Sequence, residues 1–338
     1  MARMLRFYGA DEVHAALDYP RLAEALAQAF AAGAQVPVRH VHRLSDSRRA
    51  AAGQLRAAAG GGREATGGEE SGASDTLLLM PAWSDAALGV KLVTVMPGNS
   101  ARGVGTVQAI YVLLDRDTGE PLALLDGEAL TLRRTAATSA LAARFLARDD
   151  AQNLLVVGAG RLAPYLASAH YALRPALRRV FVWSRDPTQA QTAAQWLRDL
   201  GLPAQAADGL EATAREAHII SCATTATSAV VHGAWLQPGT HLDLVGGFTP
   251  AMREIDDAAA ARSRIVVDTY AGALAEAGDL LAPLASGAIR RESIVAELAE
   301  LVRGEKRGRT GAGEITMFKS VGTALEDLCA ASLVVRGG

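Results

Sequence analysis

Leu154, Leu155, Val156, Val157, Gly158, Ala159, Gly160, Arg161, Leu162 and Ala163 follow one another without a break, and their order decides the fold. The unbroken apolar run at the start is the pattern of a strand buried on both faces, as in a parallel sheet. The chain then passes through Gly-x-Gly-x-x-Ala into a helical stretch. Gly158 permits the tight turn, Gly160 lets the backbone approach a pyrophosphate, and small Ala163 lets the helix pack closely on the strand. Free N–H groups and the positive end of the helix dipole favour an anion there. A lone glycine pattern is weak evidence, but this one follows a buried strand and opens a helix inside a βαβ unit. Gly158, Ala159, Gly160, Arg161 and Leu162 are therefore the expected cofactor cradle.

Downstream, strands and helices alternate: Val180–Trp183, a helix from Pro187, His218–Ala223, His241–Val245 and Ile265–Asp268. Alternation of this kind predicts a doubly wound parallel sheet. The second strand runs into Ser184, Arg185 and Asp186 rather than ending in an acid. Arginine there pairs with a 2′-phosphate, which favours NADPH, with NADH possible; Asp186 would be the ribose acid if the register slipped by a residue. Ala223, Thr224 and Thr225 close the next strand with the small and hydroxylated side chains that suit a loop beneath a nicotinamide. Cys222, at the end of that apolar strand, reads as inert core.

Upstream the period is different. Residues 9–32 read as two short amphipathic helices broken near Pro20, and Val36–His42 as a short strand carrying Arg39. Strands are expected at Thr76–Ala82, Leu88–Pro97, Val107–Asp115 and Leu122–Asp126, then a helix over 131–147. Residues 45–75, rich in Ser, Arg, Ala, Gly and Glu, read as a flexible insertion. The expected architecture is α/β. A Rossmann domain spans 134–309, and an α+β substrate and dimerisation domain comprises 1–133 completed by the tail 310–338. The tail carries one strand and one helix, assigned to the first domain because the parallel sheet already has its complement of strands.

Composition narrows the function. Hydrophobic residues make up 50% and charged residues 21%, enough for a packed core and against disorder. With 34 basic and 36 acidic residues there is no excess charge to hold a nucleic acid. No apolar run approaches the ~18 residues of a membrane span. Asp11 and Glu12 come too early to leave a signal-peptide core. Cys222 and Cys329 are the only cysteines. Of the seven histidines only His40 and His42 are ligand-spaced, so no metal site is expected and a cytoplasmic setting is. Lysine is scarce: Lys91, Lys306 and Lys319 are the only ones. Lys91 stands alone in an apolar strand: if buried, lost solvation lowers its pKa so that it exchanges protons near neutrality, whereas on its own the residue reads equally as a lysine snorkelling from a strand edge.

Several further stretches carry a family resemblance. Gly-Val-Lys-Leu-Val-Thr at 89–94, Thr-x-x-Arg-Thr-Ala-Ala at 131–137 and Gly-Ala-Gly at 158–160 are three of them. Gly-Gly-Phe-Thr-Pro at 246–250 and Phe-Lys-Ser-Val-Gly-Thr-Ala-Leu-Glu-Asp-Leu at 318–328 complete the set. Together they resemble the ornithine cyclodeaminase/μ-crystallin family, in the family's order and over nearly the whole chain. The resemblance implies a homodimer in which Lys91 is the active-site lysine and Arg39 and Arg134 bind the substrate carboxylate. It also implies that Thr106 lines the pocket and that Thr135 lies near a cofactor phosphate. Arg133 takes the place of Arg134 if the register moves by one. Independently, an amino-acid-like carboxylate calls for the forked cation that arginine supplies.

One position departs from the family pattern. Cyclodeaminases place an aspartate after Gly-Gly, and here Phe248 stands there. Phenylalanine neither accepts a proton nor holds an ammonium, whereas its ring packs against the methylenes of a cyclic substrate. The expected activity is NAD(P)H-dependent reduction of cyclic imino acids, Δ1-pyrroline-2-carboxylate to L-proline or Δ1-piperideine-2-carboxylate to L-pipecolate. The alternatives are an ornithine cyclodeaminase or alanine-type dehydrogenase with relocated acid chemistry, and a non-catalytic NADPH-binding crystallin-like protein.

Overall fold

A computed structural model describes residues 5–44 and 75–337. The expected insertion over 45–75 lies outside the described residues except for Asp75. Leu44 N–H donates to Asp75 O at 2.8 Å, so the chain leaves and re-enters the described fold at neighbouring points.

Two sheets organise the described residues. In the first, β1 (Arg6–Tyr8), β2 (His40–Arg43), β3 (Thr76–Trp83), β4 (Leu88–Val95), β5 (Val107–Leu114) and β6 (Pro121–Asp126) lie in the order β1-β6-β5-β4-β3-β2. Its ladders are antiparallel except β1 with β6. Period-two alternation turns Met80, Ala82, Val93, Tyr111, Leu113, Ala123 and Leu125 into a core beneath the helices Ala10–Ala16, Tyr19–Ala32 and Ala324–Gly337. The break near Pro20 has a local cause. Asp18 caps the second helix by accepting from Arg21 N–H (3.1 Å), and proline is tolerated in the first turn because its missing N–H has no helical acceptor.

The second sheet is wholly parallel. It comprises β7 (Asn153–Val157), β8 (Arg179–Trp183), β9 (Ala204–Ala206), β10 (Ile219–Cys222), β11 (His241–Leu244), β12 (Ser263–Val267), β13 (Ile294–Glu297) and β14 (Ile315–Lys319). The order is β13-β12-β14-β11-β10-β7-β8-β9, a doubly wound Rossmann-type sheet as expected. The first strand of the tail corrects the expected domain division. β14 does not join the first domain: it pairs with β11 on one side and β12 on the other. All its residues are buried, the signature of an interior strand, and without it β11 and β12 would expose unpaired edges. Only the helix Ala324–Gly337 crosses to the first domain.

The helix Gly127–Leu146 starts earlier than the pattern suggested, because Asp126 accepts from Glu128 and Ala129 N–H at 3.0 and 2.8 Å. It is one unbroken helix through the expected boundary at 133/134. It packs against Tyr19–Ala32 and Ala324–Gly337 on one side and Ala163–Leu173 on the other. No helix among the described residues is long and apolar enough to cross a membrane.

Candidate functional site

Two cavities lie between carboxyl ends of the parallel sheet and the first domain, one beside the turn after β7 and one beside the segments after β12 and β14. At the end of β7, Gly158 adopts φ +112°, and a Cβ there would lie 2.6 Å from Ala223 O. Glycine is required twice over, by conformation and by the close approach of the next strand's loop. The N–H groups of Ala159, Gly160, Arg161 and Leu162 donate to no protein acceptor among the described residues. No atom lies within 4 Å of where a Gly160 Cβ would stand. A cavity of about 610 Å³ opens beside this turn, lined in part by His14, Gly160, Tyr165 and Thr188. Arg161 is turned toward Glu128 in an ion pair.

Beyond β8, Asp186 is committed to capping the helix Pro187–Asp199, accepting from Thr188 N–H at 2.9 Å. Arg185 is exposed and makes no ion pair among the described residues, and Ser184 Oγ accepts from Asp186 N–H at 3.4 Å. Of the two register alternatives, the geometry leaves Arg185 as the free group. Thr224 N–H donates to Glu254 Oε1 at 2.7 Å, and Thr225 is exposed beside it. Cys222 is fully buried, and burial pushes its thiol well above the ordinary value, away from nucleophile chemistry.

Opposite, on the first domain, the sheet and the tail helix bring charges together. Lys91 Nζ, 3% exposed on β4, stands 2.7 Å from Asp327 Oδ2 and donates to Thr131 Oγ1 at 3.2 Å. Arg134 donates from Nε to Asp327 Oδ1 at 3.0 Å and from Nη1 to Glu326 Oε2 at 2.5 Å. Burial lowers the Lys91 pKa to about 8, Asp327 opposing the shift and Arg134 adding to it. Burial alone would raise the Asp327 carboxyl, but Arg134 and Lys91 hold it below the usual carboxylate range. Glu326 is pushed up to about 7, by burial first and by Asp268 and Asp327, against the pull of Arg134.

Arg39 reaches the same neighbourhood from the residue before β2, not from within the strand. Its Nη2 donates to Gly322 O at 3.2 Å and its Nε pairs with Glu276 at 3.2 Å. A Cβ on Gly322 would lie 2.6 Å from Arg134 Nη1 and 3.1 Å from Nη2. Only glycine fits against the Arg134 guanidinium here, and Gly322 links the two arginines, its backbone packed on Arg134 and its carbonyl accepting from Arg39. Arg39, Met80, Asp268, Glu276 and Gly322 border a cavity of about 500 Å³ between the two domains.

The structure therefore unites Lys91, Arg134 and, through Gly322, Arg39. Arg133 faces elsewhere: it lies over the Tyr19 ring at 4.8 Å and donates to His14 O at 2.9 Å. Thr135 is buried one residue beyond Arg134. Thr106 sits in the turn before β5, its carbonyl accepting from Met96 N–H at 2.7 Å, and its hydroxyl makes no hydrogen bond to the cluster among the described residues. Phe248 is 47% exposed on the loop after β11. Sequence reasoning gave no role to Asp327 and Glu326, although adjacent acids inside an apolar helix signal buried cationic partners.

Parallel sheet, glycine turn and facing charge cluster define a two-domain α/β protein of Rossmann type. The chain belongs to the ornithine cyclodeaminase/mu-crystallin family, whose model matches residues 32–336. It is 43% identical over 262 residues to the Delta(1)-pyrroline-2-carboxylate reductase of Paracoccus denitrificans, covering 77% of this chain and 83% of that protein. It is 34% identical over 338 residues to the enzyme of the same name from Colwellia psychrerythraea, covering 98% of this chain and 99% of that protein. Among solved structures, the Thermococcus litoralis Delta(1)-pyrroline-2-carboxylate reductase in complex with NADH and L-proline superimposes with a TM-score of 0.85. That pair shares 31% identity, with coverage of 99% of this chain and 97% of the other.

Proposed function

We propose that this chain is an NAD(P)H-dependent reductase of cyclic imino acids, acting on Δ1-pyrroline-2-carboxylate and Δ1-piperideine-2-carboxylate. The observation that carries the proposal is the pairing of a buried lysine, poised near neutrality, with a buried arginine whose Nη2 makes no hydrogen bond among the described residues. The relatives named as pyrroline-2-carboxylate reductases support the same substrate class. The glycine turn fits a dinucleotide pyrophosphate, since four N–H groups lack protein acceptors and the backbone at Gly160 is unobstructed. Arg185 would meet a 2′-phosphate, and Ala223, Thr224 and Thr225 would border the nicotinamide end. When bound, the dinucleotide supplies the hydride.

The chain's own residues do the rest. Arg134 uses Nε and Nη1 on the tail carboxylates, so its Nη2 edge remains to bind the substrate carboxylate, with Arg39 as the second clamp. Lys91 gives a proton to the imine nitrogen as the C=N carbon gains hydride, leaving a neutral amine that burial makes tolerable. Thr131 Oγ1 steers the ammonium. Thr106 and Phe248 complete the pocket walls, and Thr135 approaches the cofactor from its helix.

A homodimer is part of the proposal. Leu79, Val90, Leu92, Ile110, Val112 and Leu124 alternate with the core positions and are partly exposed on the open face of the first sheet. Such an apolar face suits a second copy of the chain. A cytoplasmic location and the domain roles given to 1–133 and 134–309 belong to the same proposal.

Loss of NADPH absorbance with each cyclic imine tests it, with L-ornithine plus NAD in parallel. Rapid oxidation with the imines and silence with ornithine is the expected outcome. Ammonia released from ornithine would replace the reductase assignment with a cyclodeaminase.

A further inference from the structure

Behind the Gly246–Gly247 turn lies a buried chain of charges that the proposed chemistry does not use. Glu254 is fully buried and accepts from Thr224 N–H through Oε1 (2.7 Å). Its Oε2 accepts from Gly246 and Gly247 N–H at 2.8 and 3.3 Å. Glu254 N–H and Ile255 N–H in turn donate to Asp279 Oδ1 at 2.7 and 3.2 Å, and Lys319 Nζ meets Asp279 Oδ2 at 3.0 Å. Lys319 and Asp279 are fully buried as well. The two oxygens of one carboxylate thus clasp two different loops, 223–226 after β10 and 246–250 after β11. The clasp is tight: a Cβ on Gly246 would collide with Glu254 Oε1 and Thr224 O.

We infer that Glu254, braced by Asp279 and Lys319, is a positioning residue that holds both loops in register to receive the nicotinamide half of the cofactor. The inference rests on the cofactor site proposed above. The Glu254 carboxylate is spent on backbone donors. The adenosine half is gripped elsewhere, by the turn after β7 and the segment after β8, which make no contact with Glu254 among the hydrogen bonds described. The clasp therefore bears directly on the loops of the nicotinamide half and meets the turn after β7 only through the close approach of Ala223 and Thr224 to Gly158.

Glu254→Gln preserves shape but offers a single acceptor oxygen, so one loop is released whichever way the amide turns. Fluorescence titration of the wild type and this variant with NADPH and with 2′,5′-ADP, which lacks the nicotinamide half, reads the effect. NADPH affinity should fall about tenfold or more, the equivalent of one charge-assisted hydrogen bond. Binding of 2′,5′-ADP should stay within about twofold by the same scale. Gly246→Ala, which pushes the second loop off without burying or removing a charge, should reproduce the split and decides the matter if Glu254→Gln does not fold. Unchanged NADPH affinity, or equal loss of both ligands, overturns the inference. A wild type that binds NADPH but reduces neither imine would refute the substrate assignment and leave the clasp intact, whereas one that binds no nicotinamide dinucleotide would overturn both.

Discussion

Replacing Lys91 with methionine separates the cost of burying that lysine from its use. The folded pKa of about 8 lies some 2.5 units below the ordinary lysine value of 10.5. At ~1.4 kcal/mol per unit, keeping Lys91 charged inside the protein costs about 3 kcal/mol at neutral pH. The sign follows from proton counting. Between the folded and unfolded pKa values the unfolded chain binds more protons, so this group's contribution to stability rises from about pH 8 toward the unfolded value and is least favourable below pH 8. Methionine removes the cost but takes one of the two cations from Asp327. Unlike most broken buried pairs, this one leaves no orphaned charge, because Arg134 Nε remains 3.0 Å from Asp327. Lys91→Met should therefore melt within a few degrees of the wild type at pH 7 and lose the alkaline rise in stability. Turnover of Δ1-pyrroline-2-carboxylate should fall by about 10²- to 10⁴-fold, the usual worth of a positioned acid. In the wild type, the acid form disappears above its pKa, so the rate should decline as pH rises through about 8. Turnover within about tenfold of the wild type would refute the proton-donor role. A fall of ~10 °C or more in melting temperature would show that Lys91 is chiefly needed to hold Asp327.

Two other substitutions probe the remaining contacts. Arg134→Lys keeps the charge but cannot span Glu326 and Asp327 as a fork, so KM for the imine should rise about tenfold or more and the melting temperature should drop. An unchanged KM in steady-state kinetics would place the carboxylate elsewhere. Arg185→Ser should raise KM for NADPH about tenfold while leaving that for NADH unaltered, and an unchanged ratio of the two would remove Arg185 from the cofactor site.

How much of this could be read from the chain alone depended on how local the signal was. The glycine turn after β7 is contiguous, so its strand, turn and helix were legible together. Lys91 is legible as a lone charge in an apolar strand, but only the family resemblance lifts it above a lysine snorkelling from a strand edge. Its partner Asp327 is not: it lies in the tail helix far along the chain, and only the tertiary fold brings it to 2.7 Å from Lys91 and to 3.0 Å from Arg134, 193 positions away. β14 was misplaced for a related reason. Ile315–Lys319 has the pattern of a buried strand, but a short apolar run carries no information about which sheet edge it fills. β9, with Ala204, Gln205 and Ala206, is too short to show a period at all. Arg133 and Arg134 could be told apart only by the rotation of their helix, which turns the first toward Tyr19 and the second toward the tail.

Charge accounting links Phe248 to the chemistry. Behind the turn that carries it, each buried acid is already tied to a partner. Glu254 holds Thr224, Gly246 and Gly247 N–H, Asp279 holds Lys319 and two backbone donors, and Asp243 is bound to His170 and Ser221 at 3.1 and 2.6 Å. None can move to the place of an aspartate without abandoning a buried partner, which costs about 1–3 kcal/mol for each group left unsatisfied. A diamine substrate brings an extra ammonium and needs an acid to meet it. A cyclic imino acid brings one carboxylate and one ring nitrogen. In the proposed site Arg134 and Lys91 would answer both, and the Glu326 carboxyl, raised to about 7, would take up a proton if a second carboxylate came beside Arg134. If Phe248 walls the proposed pocket, an apolar side chain there suits the smaller charge set, which is why that one position weighs for imine reduction over deamination.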